Sequence, residues 1–329
     1  HRTATALGTT HEEVMLSGDQ MLARLTDAVS ALDQPSMDGI NTYFVSWSAR
    51  QAGLKVALSG LGGDEMFGGY STFRRTAQFE RMAKASRGIP EGMKAAVAVF
   101  AGAAESAGGR VVGGDAARKL AALWESPLSL PDPFYFGRNL FTPAQVVRLL
   151  KKKQSNGHGA LWRDWLEQSV AGARRLDAFA AVSCMEAESY MVNTLLRDTD
   201  SMSMAHSLEV RVPFLDHLLV EFVTQLPREL KLRQGRPKAL LVDALQDLLP
   251  PEVVNQPKRG FTFPWSNWLR GPLRKRIQDG FTEATPSLLE ALSIEDVNGV
   301  WRSYLNGSTS WSRPWSLYVL NEWCKRHLT

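Results

Sequence analysis

Cysteine is scarce in this sequence, and the two cysteines that occur lie far apart. Cys184 and Cys324 are the only ones among 329 residues, and neither belongs to a CxxC pair. This spacing argues against a disulfide framework and against a structural zinc site. We therefore expect reduced thiols and a cytoplasmic protein.

Long apolar runs are absent as well. The longest apolar stretch, residues 95–104, is too short to span a bilayer. Residues 1–14 lack the basic segment followed by an apolar one that marks a secretory leader. The sequence therefore predicts no association with a membrane.

Charge of one sign is only slightly in excess. The chain has 38 Lys and Arg against 34 Asp and Glu, a formal net charge of +4. The one tight basic run, residues 151–153, has no interleaved aromatic residues, so we interpret it as solvated surface and expect no nucleic-acid partner. Hydrophobic residues (44%) and charged residues (22%) are in the proportions of a soluble globular protein. This composition excludes disordered, collagen-like and coiled-coil classes.

The first seventy residues follow the order helix, strand and glycine-rich loop. Ser17 and Gln20 have the spacing of a capping box, and apolar residues recur at helical spacing from there until Pro35 ends the pattern. A second helix is predicted over 41–52. The apolar run 54–59 then predicts a buried strand of a parallel sheet. This order is typical of an α/β unit.

The remainder of the chain is predicted to be helical. Beyond Tyr70 we find no further strong strand signal. Helical spacing recurs over 161–204, 215–226, 237–249 and 315–328. Four tryptophans are expected to fill a helical core: Trp301, Trp311, Trp315 and Trp323.

The segment 59–70, SGLGGDEMFGGY, carries the strongest functional signal. Half of residues 60–69 are glycine. A strand that enters such a loop exposes backbone N–H groups at the carboxyl end of a parallel sheet, where α/β proteins bind ligands. Asp64 and Glu65 would repel a phosphate there unless a cation lay between them, which favours Mg²⁺. A tight turn followed by an acidic helix start is the alternative interpretation.

This segment resembles the LSGxGxDExFGGY loop of the glutamine-dependent asparagine synthetase family, which includes β-lactam synthetases and lasso-peptide cyclases. Residues 195–216 are similar to the DxMSMAxSLExRxPFLD block of that family. Counterparts of other family segments follow the same order: LGTTHEEV, Asp33-Gln34-Pro35, residues 238–250 and Lys258-Arg259-Gly260-Phe261. The resemblance covers nearly the whole chain apart from about 76–160.

The resemblance implies an ATP pyrophosphatase, or adenine nucleotide α-hydrolase-like, α/β fold with an incomplete parallel sheet and a large, mostly helical remainder. Residues 1–75 would be the C-terminal part of the α/β core. Residues 76–160 would be a helical insertion, and residues 161–329 the helical C-terminal part of the synthetase domain.

The resemblance also implies the chemistry. ATP adenylates a substrate carboxylate, pyrophosphate leaves, and ammonia attacks the acyl-adenylate to form an amide. Asp64 would be a catalytic residue and the Mg²⁺ ligand, and Lys238 would stabilise developing charge. The remaining residues expected to bind the nucleotide are Ser59, Gly60, Gly62, Gly63 and Glu65. The expected cofactors are ATP and Mg²⁺. The substrates would be aspartate or another small carboxylic acid, with ammonia from a glutaminase domain.

Three features depart from the family pattern. The 329 residues contain neither the glutaminase domain with its N-terminal cysteine nor the Ser-Gly-Gly-x-Asp-Ser pyrophosphate loop. We therefore expect a C-terminal fragment of a longer synthetase that is inactive alone. The third loop residue, Glu or Tyr in relatives, is Leu61, which cannot transfer a proton. This predicts another acid substrate, or ammonia that arrives already neutral.

Two other functions stay open. A non-catalytic remnant would bind a partner chain, because an incomplete sheet leaves an unpaired edge and favours an oligomer such as a homodimer. A cyclase of the β-lactam synthetase or lasso-peptide type would agree with a non-acidic Leu61.

Several polar residues have simpler interpretations than catalysis. A hydrolase triad of Asp200, Ser203 and His206 is rejected, because no nucleophile elbow accompanies it. Glu209 and Arg211 are expected to form a structural ion pair or backbone contacts, and Tyr70 is expected to pack rather than to transfer protons.

Overall fold

The computed structural model describes residues 1–85, 88, 90, 132–151, 168, 171–233, 236–245, 247–254 and 262–328. The chain divides into two compact units. The first unit comprises His1–Gln34, Asp38–Phe73 and Arg175–Phe263, and the second comprises Pro35–Met37, Arg74–Arg174 and Pro264–Thr329. Much of the predicted insertion 76–160, the start of the predicted helical segment 161–204 and the segment Lys258–Phe261 lie outside the described residues.

The N-terminal elements, through the glycine-rich loop, are α1 (Arg2–Leu7), α2 (Gly18–Ala23), α3 (Leu25–Ser30), α4 (Gly39–Gln51), β1 (Val56–Leu58), α5 (Gly63–Phe67) and α6 (Thr72–Ala85). The next described helices are α7 (Asp132–Arg138), α8 (Pro143–Leu149) and α9 (Ala178–Met185). A π-helix (Glu186–Leu196) continues α9 and leads into α10 (Arg197–Met204) and β2 (Glu209–Arg211).

Helices make up the rest of the described chain. They are α11 (His217–Gln225), α12 (Arg228–Lys231), α13 (Ala239–Ala244), α14 (Pro251–Val254), α15 (Trp265–Arg270), α16 (Arg274–Thr282), α17 (Pro286–Ala291), α18 (Ile294–Leu305) and α19 (Ser312–His327). Single 3₁₀ turns occur at Ala173–Arg175 and Pro213–Leu215. None of the helices in the described ranges combines the length and the hydropathy that a membrane crossing needs.

The predicted capping box is confirmed, but the helix that follows it is interrupted. The Ser17 hydroxyl accepts from the Gln20 N–H, and the Gln20 side chain accepts from the Ser17 N–H. The prediction of one continuous helix is wrong, because α2 ends before Arg24 and α3 begins after it. The Arg24 guanidinium lies 4.4 Å from the ring centroid of Trp47 on α4. A contact of this kind has no signature in an apolar pattern.

The strands β1 and β2 form a parallel pair with Val56 opposite Glu209, Ala57 opposite Val210 and Leu58 opposite Arg211. The prediction of a parallel sheet agrees with this pair. The prediction that no further strand follows Tyr70 is wrong, because β2 lies downstream. The β2 segment Glu-Val-Arg is too short and too charged for an apolar pattern. Its extended form comes from pairing with β1.

The prediction that β1 is buried is also wrong for the described residues. Leu58 is 74% exposed and Val56 is 41% exposed. An apolar run is buried only when another layer covers the sheet, and no described residues cover these two side chains.

The second unit has an aromatic core. Trp315 and Trp301 are buried, and Trp311 stacks on the buried Trp265 with ring centroids 5.5 Å apart. Trp323 is only half-buried and stacks on His327. The predicted tryptophan core is therefore confirmed for Trp301 and Trp315, with Trp311 at its edge.

Candidate functional site

The loop after β1 turns the chain sharply into α5. The Ser59 N–H donates to the carbonyl oxygen of Arg211, which extends the pairing of the strands by one residue. Gly62 has φ 91°, and a Cβ there would lie 2.4 Å from Cδ2 of Leu215. A side chain at Gly62 is therefore disfavoured both by the left-handed backbone and by space. The turn places Asp64 in the first turn of α5, just beyond the carboxyl end of β1.

Asp64 and Lys238 lie side by side although 174 residues separate them in the chain. The Lys238 Nζ is 2.9 Å from the Asp64 Oδ1, and the two side chains are 34% and 24% exposed. Both side chains are thus partly exposed, although the Asp64 Oδ1 that faces Lys238 is itself buried. The fold brings together the two residues for which the family resemblance implies catalytic roles.

Lys238 has a strained backbone. Its φ and ψ are 52° and 35°, in the left-handed region, and it immediately precedes α13. A non-glycine residue in this region costs about 1–3 kcal/mol, and such strain clusters at functional sites. This conformation could not be predicted from residue type, because Lys is not a residue that favours it.

Gly69 leaves room for the Asp64–Lys238 pair. A Cβ on Gly69 would lie 1.7 Å from the Asp64 Oδ1 and 2.7 Å from the Lys238 Cε. The Gly69 N–H also donates to the Asp64 carbonyl oxygen over 2.9 Å. The absence of a side chain at Gly69 therefore leaves space for the side chains of Asp64 and Lys238.

Glu65 points into the protein, toward Tyr70. Its carboxylate is buried, and the Tyr70 hydroxyl donates to Oε1 over 2.7 Å. Burial and the adjacent Glu65 charge strongly raise the pKa of Tyr70, so its hydroxyl keeps its proton at neutral pH. Tyr70 packs, as predicted, and also holds the Glu65 carboxylate. Direct contact between Glu65 and a nucleotide stays a prediction.

The remaining predicted nucleotide residues lie along the same loop. The Ser59 hydroxyl accepts a long hydrogen bond of 3.4 Å from the Leu61 N–H. Gly60 borders open space, since no atom lies within 4 Å of the point where a Cβ would be. Gly63 packs against Phe214, whose ring is 3.3 Å from that point. The open side of the loop is therefore at Gly60.

A buried polar layer behind the loop was missed by sequence reasoning. Glu186, the first residue of the π-helix, is fully buried and accepts a hydrogen bond from the Thr72 hydroxyl. Tyr190, one turn further on, donates to the Asp38 carboxylate over 2.9 Å, and its ring meets the Tyr70 ring edge-on. No motif marked these residues. Only the π-helix, a form often found at functional sites, hints at a role.

The polar residues that were given structural interpretations behave as expected. Arg211 Nε donates to Glu209 Oε1 over 2.7 Å, and both side chains are exposed. The Ser203 hydroxyl donates to the backbone carbonyl of Asp200, while the His206 ring packs on Tyr43. Ser203 and His206 therefore do not form a nucleophile and base pair.

The donor set at Asp64 suits Mg²⁺ bound together with a phosphate. Among the described residues, no three His, Cys, Asp or Glu side chains group closely enough to hold a metal ion. Mg²⁺ commonly takes one or two carboxylates and completes its shell with water and phosphate oxygens. The single, partly exposed Asp64 carboxylate beside the Lys238 ammonium fits that requirement.

Comparison with known proteins identifies the family. A family model described as asparagine synthase matches residues 1–325. The chain belongs to the asparagine synthase family. The predicted resemblance is thereby confirmed. Family membership implies the adenine nucleotide α-hydrolase-like fold, with which the parallel β1–β2 pair and the helical remainder agree.

Several relatives of this asparagine synthase family member are similar over most of the chain. A Mycobacterium tuberculosis asparagine synthetase homologue is 28% identical over 344 residues, covering 98% of this chain and 47% of that protein. A Bacillus subtilis protein named glutamine-hydrolysing asparagine synthetase 1 is 29% identical over 86% of this chain and 43% of its own length. A Gibberella zeae protein named amidase chry2 is 26% identical, with the same coverages. The chain thus spans about half the length of the curated relatives it matches.

Proposed function

We propose that this chain carries the carboxylate-activating, amide-forming centre of an ATP-dependent ligase of the asparagine synthetase type. The observation that carries the proposal is the Asp64–Lys238 pair at 2.9 Å, set at the end of a parallel strand and beside a loop glycine that leaves it room. Family membership supports the reaction class. In that reaction a carboxylate attacks the α-phosphorus of ATP, pyrophosphate leaves, and ammonia then displaces AMP from the acyl-adenylate.

Lys238 and Asp64 would act as a charge-matched pair toward the nucleotide. With Asp64 2.9 Å away, the Lys238 side chain has few conformations to lose. In the reaction its ammonium would face phosphate and acyl oxygens whose negative charge grows in the transition state. Asp64 would hold Mg²⁺, which supplies charge neutralisation for the departing pyrophosphate. In the reaction, Lys238 would thus exchange the Asp64 carboxylate for negatively charged oxygens, and Asp64 would exchange the Lys238 side chain for Mg²⁺.

The loop would bind the nucleotide through its backbone. The backbone N–H of Gly60, which lies beside open space, would contact the nucleotide together with Ser59. Gly62 and Gly63 would shape the turn. Glu65 would contribute mainly through Tyr70, because its carboxylate is buried against that hydroxyl.

The substrate would be aspartate or another small carboxylic acid, with ammonia derived from glutamine as the nitrogen donor. Leu61 is half-buried and bears no ionisable group, so it would deprotonate no amine. Ammonia delivered neutral needs no base at that position. A cyclase with a substrate-borne amine is less well supported, because such an amine needs a base and Leu61 supplies none.

Product analysis of the full-length gene product tests the proposal. With ATP, Mg²⁺, aspartate and ammonium at alkaline pH, we expect asparagine, AMP and pyrophosphate in equal amounts, and none from the Asp64→Asn variant. Supply of ammonium bypasses any glutaminase. Formation of ADP and phosphate in place of AMP and pyrophosphate would contradict the reaction class. If AMP is released only when a different carboxylic acid is supplied, the reaction class is retained and that acid replaces aspartate as the substrate.

A further inference from the structure

The second unit contains a cavity of about 170 Å³ between α8 and α18, remote in sequence from the loop 59–70. Its polar wall includes Arg148 near the end of α8, and Asp296, Gly299 and Ser303 on α18. The last three are spaced by three and four residues, so they share one face of the helix. The antiparallel bridge between Leu150 and Leu292 ties the end of α8 to the start of α18.

Two opposite charges line this cavity without neutralising each other. Within the described part of the chain, neither the Arg148 guanidinium nor the Asp296 carboxylate forms an ion pair or a side-chain hydrogen bond. Arg313, also in the wall, is different. It is buried, donates to the Leu140 carbonyl oxygen over 2.6 Å and to the Thr309 hydroxyl over 2.8 Å, and is therefore part of the framework. Arg148 and Asp296 are the charges available to a ligand.

Gly299 keeps the cavity open. It lies in the middle of α18, where glycine is less stable than alanine. No close packing requires it, because the nearest atom to a Cβ there would be the Arg302 Nη2 at 4.0 Å. The backbone is helical, so no left-handed conformation requires glycine either. A side chain at this position would instead occupy the cavity that Arg148 and Asp296 line.

We propose that this cavity binds a free α-amino acid with a short, uncharged polar side chain. The carboxylate would meet Arg148, the ammonium would meet Asp296, and the side chain would lie toward Ser303, against the apolar wall of Phe141 and Val300. An engineered cavity of about 150 Å³ accommodates benzene, so the volume suits a ligand the size of serine. The proposal does not depend on the proposed ligase function, because it shares no residue with the Asp64–Lys238 site.

Binding measurements with chosen ligands test whether the cavity requires both the carboxylate and the ammonium of an amino acid. L-Serine and L-asparagine are titrated into the full-length protein by isothermal titration calorimetry. Two compounds that each lack one charge of serine, 3-hydroxypropanoate and ethanolamine, serve as comparators. We expect saturable binding of at least one amino acid, and binding of each comparator at least about 10-fold weaker than that of L-serine.

Variants locate the site. Arg148→Met and Asp296→Asn should each weaken amino-acid binding at least about 10-fold, and Gly299→Leu should abolish it by filling the cavity. Arg274→Met and Glu295→Gln, exposed charges that do not line the cavity, are matched controls and should bind like the wild type. Gly299→Leu should melt no lower than the wild type, which separates a blocked cavity from unfolding. Asp64→Asn should also bind normally, which separates this cavity from the loop site.

Three results would overturn the proposal. They are the absence of saturable binding of both amino acids, a comparator that binds as tightly as L-serine, and wild-type affinity in either Arg148→Met or Gly299→Leu. The second result would indicate a site for a simple anion or cation.

Discussion

Replacement of Gly69 by alanine is the most informative single change at the loop site. It adds one methyl group, which would lie 1.7 Å from the Asp64 Oδ1 and 2.7 Å from the Lys238 Cε. Real Cβ contacts are essentially never shorter than 3.0 Å. The hydrogen bond from the Gly69 N–H to the Asp64 carbonyl oxygen restrains the backbone. The Asp64 side chain must therefore move by more than about 1 Å, which changes its position relative to Lys238.

The structure predicts a large effect on activity and a small one on stability. A displacement of about 1 Å in a reacting constellation costs about 10²-fold in rate. The ion pair is partly solvated, so its loss should lower the free energy of unfolding by no more than about 1 kcal/mol. ATP–pyrophosphate exchange of full-length Gly69→Ala should thus fall about 100-fold, with a melting temperature close to that of the wild type.

A second glycine provides the control for this experiment. Gly172 has no atom within 4 Å of its Cβ position, so Gly172→Ala should retain both exchange activity and stability. Wild-type exchange by Gly69→Ala would refute the argument, because it would mean that the Asp64–Lys238 geometry does not limit the reaction. Equal losses of activity and of folded protein would refute it too, since Gly69 would then be a folding residue.

Three further predictions concern stability. Because the pKa of Tyr70 is raised in the folded protein, folding favours its neutral form, and its contribution to the free energy of unfolding is complete below about pH 10 and declines above it. Denaturant titrations should therefore show that, above about pH 10, the free energy of unfolding falls less steeply with pH in Tyr70→Phe than in the wild type, by about 1.4 kcal/mol per pH unit. Trp315→Ala should lower the free energy of unfolding by about 3–5 kcal/mol and Trp323→Ala by clearly less, because only Trp315 is fully buried; equal effects would contradict this. Gly62→Ala should destabilise by more than about 1 kcal/mol, since it combines a left-handed φ with a contact to Leu215, and an unchanged denaturation midpoint would disprove that strain.

Local patterns predicted the elements that depend on local interactions. The capping box at Ser17, the helix α4 and the glycine-rich turn before Asp64 all follow from residue types and spacing over a few positions. The strand β2 did not, because it depends on a partner elsewhere in the chain, and the break at Arg24 left no mark in the apolar spacing. Exposure of Leu58 was unpredictable for the same reason, since burial depends on what covers a strand.

The candidate site could be predicted as a set of residues but not as a geometry. The loop motif marked Asp64, and the family resemblance assigned roles to Asp64 and Lys238. Their contact depends on the left-handed backbone of Lys238 and the space at Gly69, which are tertiary properties. The layer of Glu186, Thr72 and Tyr190 carried no motif, because buried polar pairs are recognisable only when both partners are seen together.

The central claim is that the Asp64–Lys238 pair activates a carboxylate with ATP. The most direct measurement is ATP–pyrophosphate exchange, dependent on the acid substrate, in the full-length wild type and in Asp64→Asn and Lys238→Met. We predict that Asp64→Asn abolishes exchange, and that Lys238→Met lowers its maximal rate much more than it raises the KM for ATP, because the ammonium contacts strengthen in the transition state. Exchange that persists in Asp64→Asn, or an unchanged maximal rate in Lys238→Met, would contradict the claim.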